Sequence, residues 1–433
     1  FALDVTQPDE LAAGAIAPGS FVAPRCLNKS GDASCSADWP SVLWEFSDVG
    51  DAENNGVGNG FVDMGETWAQ PSIGRVKVCK SACGTDAAVY DEVFVAIIGG
   101  GFDRERKDRR GNWLYMIDVE TGKPIYRAHS GCEKSMVGGG CATVPFASIP
   151  SQTASIDLNA DGYLDVVYVG DLLGRMWRVD LRDLRWDGTG SKIDVAGTGS
   201  GRPFLFFKAT QPAAAPAAKV YYPIYYRPVI VATSETASSV PVVGVGFGTG
   251  DRDDILATED ANSLTSAQRL YYVVDKRTDG TPCAGNLPPT ASASAASLTT
   301  VPATGWYMNM ASSTGERLIT DTLAFQGYLY FSTFSPYTTE GARAGNGCPN
   351  PPKCQSGAGF SRFYSMSAVT GNPVPGETDR GEVVPNTDFV TSPVLYISGD
   401  QKANIGFMTA SGAFEKPGIE RRSERLLREW KER

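Results

Sequence analysis

The chain has 433 residues, with 39 Lys and Arg against 49 Asp and Glu, so its formal charge is −10. Such a negative surface repels phosphate backbones, which argues against nucleic acid as a partner. The 48 Gly and 27 Pro residues, together with 42% hydrophobic residues, indicate short strands joined by many turns rather than disorder. No apolar run reaches about 18 residues, so no membrane span is predicted. Because the sequence begins at Phe1, we expect a processed or excised piece of a longer protein.

In chain order, five pairs of apolar runs predict β-strands, because Val, Ile, Tyr, Phe and Trp recur in them with a period near two. The paired runs are residues 93–98 with 112–118, 166–169 with 175–180, 240–246 with 269–274, 323–334 with 362–368, and 394–398 with 405–409. Two stretches rich in Ala, Pro, Ser or Thr, residues 211–219 and 284–303, are predicted to be surface insertions.

Divergent repeats predict how these strands are organised. Residues 114–122 and 363–371 share an aromatic residue and a terminal Thr-Gly, and residues 176–180 are a partial copy. Repeats of this kind indicate an all-β fold, a β-propeller in which each blade buries its faces against its neighbours. A β-sandwich with chance similarity is the alternative. We predict one propeller domain over 1–433, with a lead-in over 1–43, blades over 44–414 and a charged tail or short helix over 415–433.

The nine cysteines fall mostly in close pairs within loop-like sequence, which we interpret as small disulfides. The pairs are Cys26–Cys35, Cys79–Cys83, Cys132–Cys141 and Cys348–Cys354. Zinc sites favour regular C-x₂-C spacing, often with histidine, whereas these spacings are irregular and His129 is the only histidine. The disulfides predict an oxidising compartment, the periplasm or the outside. Cys283 is left over, to pair with a missing segment or within a different connectivity.

The clearest chemical signal is the loop over residues 157–165, with the sequence DLNADGYLD. Oxygen-bearing side chains occupy loop positions 1, 3, 5 and 9, and Gly162 at position 6 permits a sharp turn around an ion. Three carboxylates this close would repel one another without a cation. The predicted Ca²⁺ ligands are Asp157, Asn159, Asp161, the carbonyl of Tyr163, and Asp165.

The predicted loop belongs to a β-scaffold rather than to a helix–loop–helix motif. Position 12, which is Glu in a helix–loop–helix calcium loop, is Tyr168 here, so the loop closes at Asp165 and leads directly into a strand. Without calcium, we expect carboxylate repulsion to loosen the surface around Asp165 and Asp171. A second candidate loop alternates oxygen ligands around Gly56, and a plain Gly-rich hairpin is its alternative. Its candidate ligands are Asp51, Glu53, Asn55 and Asn59.

Other constellations do not predict a catalytic site. No helix pattern follows Gly99–Gly101, which argues against a dinucleotide site. A lone histidine in a cysteine-bounded loop makes a Ser-His-Asp or Cys-His set improbable. The acidic residues at 251, 253 and 254 are interpreted as an exposed turn.

Several segments of the sequence, taken together, resemble the C-terminal domain of the PilY/PilC family of type IV pilus tip-associated proteins. The similar segments are residues 63–73, IGGGFD at 98–103 with 111–122, the calcium-loop blade at 149–180, and VGFGTG at 245–250, in family order. Beyond residue 250 the likeness thins to 363–371 and Trp430.

The resemblance implies a modified, seven-bladed propeller with long loop insertions. It implies a location at the pilus tip, on the cell surface or at the outer membrane, reached through the periplasm. It also implies roles in pilus assembly, in the balance of extension and retraction, and in adhesion, with calcium as regulator. The implied partners are minor pilins or the assembly machinery, and a host or abiotic surface. Asn159 departs from the commoner Asp, which should weaken calcium binding, and Arg380–Glu382 is not an Arg-Gly-Asp motif.

Two other functions stay open at the level of the sequence. A quinone-dependent dehydrogenase has similar repeated motifs in its blades and uses calcium. It also needs aromatic residues that stack on the cofactor and a catalytic Asp, and this sequence shows no motif for either. A generic calcium-loop propeller, acting as an adhesin or carbohydrate binder, would repeat the Asp-rich loop in several blades, and one copy is clear here. We therefore predict a protein that is not an enzyme.

Overall fold

The computed structural model describes residues 2–4, 41–44, 46, 64–104, 110–134, 141–194, 201–209, 222–233, 242–253, 268–275, 291–292, 305–311, 315–336, 359–384, 389–397, 402–409, 414–415 and 420–422. The regular secondary structure in these residues is β-strand throughout, which confirms the predicted all-β class. Among them, no helix has the length and apolar character needed to cross a membrane.

A two-stranded ribbon and a five-stranded sheet come first in the chain. The ribbon pairs β1 (Ala2–Asp4) with β2 (Ser41–Trp44). Four strands of the first sheet form an antiparallel meander of β3 (Ser72–Ser81), β4 (Val89–Gly99), β5 (Leu114–Asp118) and β6 (Pro124–Ala128).

The second sheet combines a meander with an added hairpin. Its strands are β7 (Ser130–Lys134), β8 (Cys141–Pro145), β9 (Ala154–Ile156), β10 (Val166–Gly170), β11 (Arg175–Asp180) and β13 (Pro203–Lys208). The meander runs β9–β10–β11–β13, and the β7–β8 hairpin joins its edge by a parallel contact between β7 and β13. The intervening β12 (Leu184–Arg185) leaves this sheet and pairs in parallel with β3, so the chain crosses back to the first sheet.

Three further sheets follow in the described residues. The third contains β14 (Val229–Thr233), β15 (Val242–Gly248), β16 (Arg269–Asp275), β17 (Ala291–Ser292) and β18 (Gly305–Asn309). The fourth contains β19 (Arg317–Leu318), β20 (Leu323–Phe325), β21 (Tyr328–Pro336), β22 (Gly359–Ser367) and β23 (Gly381–Val383). The fifth contains β24 (Val394–Ile397), β25 (Lys402–Met408), β26 (Phe414–Glu415) and β27 (Glu420–Arg422).

The hydrophobic cores lie between consecutive sheets. Successive side chains of a strand point to opposite faces, so a strand covered on both sides contributes to two cores. On β10, Val167 and Val169 pack into the core shared by the first and second sheets, whereas Val166 and Tyr168 pack into the core shared by the second and third. Two further cores join the third sheet to the fourth and the fourth to the fifth. Sheets stacked face to face in chain order are the arrangement of propeller blades.

The structure pairs all five sets of strands that the apolar runs predict, as β4–β5, β10–β11, β15–β16, β21–β22 and β24–β25. The repeated phrases also fold alike, because the N–H groups of Gly122 and Gly371 each bond, at 2.8 Å, to the carbonyl four residues earlier. Five sheets of four or more strands occur in the described part of the chain, and the seven-bladed count stays a prediction. At the tail, Glu420–Arg422 is a strand rather than a helix because it pairs with β25, and residues 423–433 lie outside the described ranges.

Candidate metal centre

The predicted calcium loop is the hairpin connection between β9 and β10 of the second sheet. The two strands pair antiparallel with Val166 opposite Ile156, and the Asp165 N–H closes the loop by donating to the Ile156 carbonyl at 2.9 Å. The loop therefore leads from strand to strand, as the position of Asp165 predicts.

Three predicted ligands fold back over the loop and accept hydrogen bonds from its own backbone. The Asp157 carboxylate accepts from the N–H of Gly162 at 2.7 Å and of Asp161 at 3.3 Å. The Asn159 side-chain oxygen accepts from the Asp161 N–H at 2.9 Å, and the Asp161 carboxylate accepts from the Tyr163 N–H at 3.0 Å. An ionised carboxylate has about four lone-pair sites, so these bonds leave capacity for a cation.

The backbone of the loop requires a residue without Cβ at the predicted position. Gly162 has φ of 87°, in the left-handed region that glycine adopts without steric cost. Ala160 also has positive φ, at 59°, which an L-residue other than Gly adopts only at a cost. The spacing of oxygens predicts the glycine, whereas no sequence signal marks Ala160.

Asp165 differs from the other ligands because it is buried, with 4% of its surface exposed. Its carboxylate accepts a bond from the Leu158 N–H at 2.7 Å. Burial raises the pKa of Asp165; the Leu158 N–H opposes that effect, and the negative charges of Asp157 and Asp161 add to it. The negative charges of Asp157 and Asp161 therefore disfavour the ionised form of Asp165, and a bound cation would relieve that repulsion.

The first sheet supplies cations to the outer side of the loop. Lys77 Nζ lies 3.4 Å from Asp161 Oδ2 and 3.9 Å from the centre of the Tyr163 ring. The Arg75 guanidinium lies 4.8 Å from the same ring. A hydrogen bond with Glu92 raises the pKa of Tyr163. Sequence reasoning missed these contacts, because the alternation of β3 predicts an exposed face carrying Arg75 and Lys77 but not the loop that this face meets.

The arrangement fits a hard cation only if neutral oxygens complete the ligand set. Within the described residues, no three His, Cys, Asp or Glu side chains converge as a ready-made metal site. A Ca²⁺ ion takes about six to eight oxygens and accepts amide and backbone carbonyls among them. The loop offers five oxygen-bearing groups, namely the three carboxylates, the Asn159 amide and the Tyr163 carbonyl, so carboxylates that bind through both oxygens, or solvent, would have to complete the set. The ion would then supply positive charge where the carboxylates repel one another.

Asp171 does not belong to a loosened surface near this loop. It follows the opposite end of β10, is fully buried, and accepts bonds from Arg175 Nε at 2.7 Å and Trp177 Nε1 at 2.8 Å. Asp165 and Asp171 do not share one surface, since both side chains are buried and strand β10 separates them; the loosening expected without calcium stays a prediction.

The remaining predicted site residues divide between described and undescribed parts of the chain. The structure contains the Cys79–Cys83 disulfide, with a Cα–Cα distance of 5.8 Å. Cys132 is disulfide-bonded, and it lies on β7, which pairs with the strand that begins at Cys141. The predicted site residues outside the described ranges are Asp51, Glu53, Asn55, Asn59, Cys26, Cys35, Cys283, Cys348 and Cys354.

Relatives of known family resemble much of this chain. The chain is 24% identical over 288 residues to the type IV pilus biogenesis factor PilY1 of Pseudomonas aeruginosa, a match covering 65% of this chain and 19% of the relative. It is also 24% identical over 364 residues to the PilY1 homolog of Xylella fastidiosa, covering 78% and 20%. The chain thus spans about a fifth of the length of these curated relatives.

A solved structure and a family model extend the comparison. The crystal structure of the P. aeruginosa PilY1 C-terminal domain aligns with 82% of this chain and 73% of its own, at 18% identity and a TM-score of 0.48. The model of the PilY1 beta-propeller domain matches residues 27–293, which is more than half of the chain and includes the whole 157–165 loop. The chain therefore belongs to the PilY1 β-propeller domain family.

Proposed function

We propose that this chain is the calcium-binding propeller of a type IV pilus biogenesis factor. The observation that carries the proposal is that the matched region contains the 157–165 hairpin loop, whose side chains fold over a glycine turn of positive φ. Both curated relatives are named as type IV pilus biogenesis factors or homologs of one. The proposed location is the cell surface, at the pilus tip or the outer membrane.

The proposed role is not enzymatic. In this role the propeller binds minor pilins or the assembly machinery, supports pilus assembly, biases extension against retraction, and contributes to adhesion to a host or abiotic surface. Calcium acts on that role through the loop. A ligand shifts such an equilibrium only by its different affinity for the two states, so a site of modest affinity gives a graded response.

Calorimetry on the purified chain tests the calcium site. We expect binding with a dissociation constant of about 0.1–1 mM, the range of extracellular calcium modules, and loss of binding in Asp161→Ala. The matched control is Asp187→Ala, because Asp187 accepts turn bonds from Thr189, Ser191 and Lys192 in a hairpin without the loop's ligand spacing. Equal binding by the two variants would remove Asp161 from the ligand set.

The cellular role is tested by the same pair of substitutions in the full-length protein. Asp161→Ala should give a folded, exported protein with altered surface piliation or twitching, whereas Asp187→Ala should behave as the parent. Parental motility of the Asp161→Ala strain at every calcium level would refute regulation by calcium. An Asp161→Ala protein that fails to fold would show that the loop is structural instead.

A further inference from the structure

Lys77, on the first sheet, forms an ion pair with one predicted ligand of the candidate calcium loop. Its ammonium lies 3.4 Å from one carboxylate oxygen of Asp161, and 40% of the Lys77 side chain and 39% of the Asp161 side chain are exposed. The other oxygen of Asp161 accepts the Tyr163 N–H. Lys77 therefore holds a carboxylate that the proposed calcium ion also needs.

The loop also contacts the backbone of β3 close to Lys77. The Leu164 N–H donates to the Arg75 carbonyl at 2.8 Å. The Leu164 side chain packs against Gly74, where an added Cβ would lie 2.6 Å from its Cδ1. These contacts lie two and three residues before Lys77 on β3, so they hold the strand that carries Lys77 against the loop.

The electrostatics of Asp161 show the influence of Lys77. The Lys77 ammonium carries a full positive charge at 3.4 Å from Asp161 Oδ2, whereas the other carboxylate oxygen faces the Tyr163 N–H. The same positive charge that favours the ionised carboxylate opposes the approach of a divalent cation to it. Lys77 and calcium thus compete for one carboxylate.

We propose that Lys77 is an affinity-setting residue of this calcium loop, an internal cation that competes with Ca²⁺ for Asp161 and is released when the ion binds. The inference rests on the proposed calcium function. Two cations compete for the same carboxylate: the Lys77 ammonium, which is covalently part of the first sheet, and Ca²⁺, which comes from solution. Binding of calcium to the loop consequently releases the Lys77 side chain from its ion pair with Asp161.

Calorimetric calcium titration of the 433-residue chain tests this competition. A charge-neutral Lys77→Gln should bind calcium about five- to tenfold more tightly at low ionic strength, and the gain should shrink at about 0.5 M monovalent salt. Lys77→Arg keeps the charge and should retain the parent affinity. The matched control is Lys80→Gln, because Lys80 makes a 3.4 Å pair with Asp91 on the same sheet, away from the loop.

The outcomes separate this inference from the function on which it rests. Equal affinity of Lys77→Gln and Lys80→Gln, with calcium bound by both, would overturn the role of Lys77 alone. Absence of binding in the parent and in every variant would overturn the calcium proposal and this inference together. Binding by Lys77→Gln but not by the parent would show that Lys77 outcompetes the ion. Amine labelling followed by mass spectrometry gives a second readout, since calcium should increase the reactivity of Lys77 and leave that of Lys80 unchanged.

Discussion

Asp275 joins the second and third sheets through a buried charge, and its replacement gives a sharp test of the architecture. Its Oδ2 atom, at the end of β16, accepts from Arg178 Nε of β11 at 2.7 Å and from the Tyr168 hydroxyl of β10 at 2.6 Å. The Asp275 side chain is 1% exposed and that of Arg178 is 5% exposed. Burial acts to lower the pKa of Arg178, but Asp275 and its neighbours outweigh burial and raise it.

The substitution Asp275→Asn keeps the shape and removes the negative charge. Breaking a buried ion pair by removing one partner costs about 3–5 kcal/mol, because the other charge stays buried. Asp180 still faces Arg178 at 3.4 Å, so part of the guanidinium charge stays compensated. We therefore expect a loss of about 3 kcal/mol in the free energy of unfolding, at the lower end of that range.

Urea unfolding of the calcium-free chain measures this loss as a decrease in the midpoint. A loss of this size lowers the midpoint by about 1 M if the slope is about 3 kcal/mol per M. The control is Asp183→Asn, whose 2.9 Å pair with Arg185 is 47% exposed on both sides and should have no measurable effect. Equal midpoints for the two variants would refute the idea that Asp275 fastens adjacent sheets.

Three further predictions concern pH, packing and redox state. Burial raises the pKa of Asp321, so the folded chain binds the carboxyl proton more tightly than the unfolded chain does. The parent should therefore gain stability relative to Asp321→Asn as pH falls through that pKa. Parallel pH profiles of the thermal midpoint for the two proteins would contradict this. Gly131→Ala would place a Cβ 2.4 Å from the buried Trp177 ring, and the overpacking should cost about 1–3 kcal/mol in urea unfolding, so an unchanged midpoint would show that the ring moves aside freely. Non-reducing peptide mapping should find Cys132 joined to Cys141 and Cys79 joined to Cys83, and recovery of all four as alkylated thiols would remove the argument for an exported chain.

Local sequence pattern predicts the strands and the turn of the 157–165 loop because both depend on neighbouring residues. Alternation of apolar residues selects the faces of strands such as β10, whose side chains serve two cores. The loop is equally local: its oxygen spacing and Gly162 lie within nine consecutive residues, and the backbone bonds of Asp157 remain inside them. These features need no knowledge of the rest of the fold.

The contacts between the loop and the first sheet are not local and could not be predicted in the same way. Lys77 and Asp161 are separated by 84 positions in the sequence, and their meeting depends on how the second sheet stacks against the first. The added β7–β8 hairpin is also set by distant pairing, since it joins β13 through Phe204 opposite Cys132. Register between distant strands follows from the packing of whole faces, which a single periodic run does not specify.

The crossing of β12 has a consequence for the order in which the chain acquires its structure. Leu184 and Arg185 complete the edge of the first sheet beside Val78 and Cys79, although more than a hundred residues separate the two strands. Synthesis or export presents the chain from its N-terminal end. The first sheet therefore lacks its edge strand β12 until most strands of the second sheet have emerged. The two sheets therefore mature as a pair, and an intermediate consisting of the first sheet alone would expose the outer edge of β3 to solvent or to a chaperone.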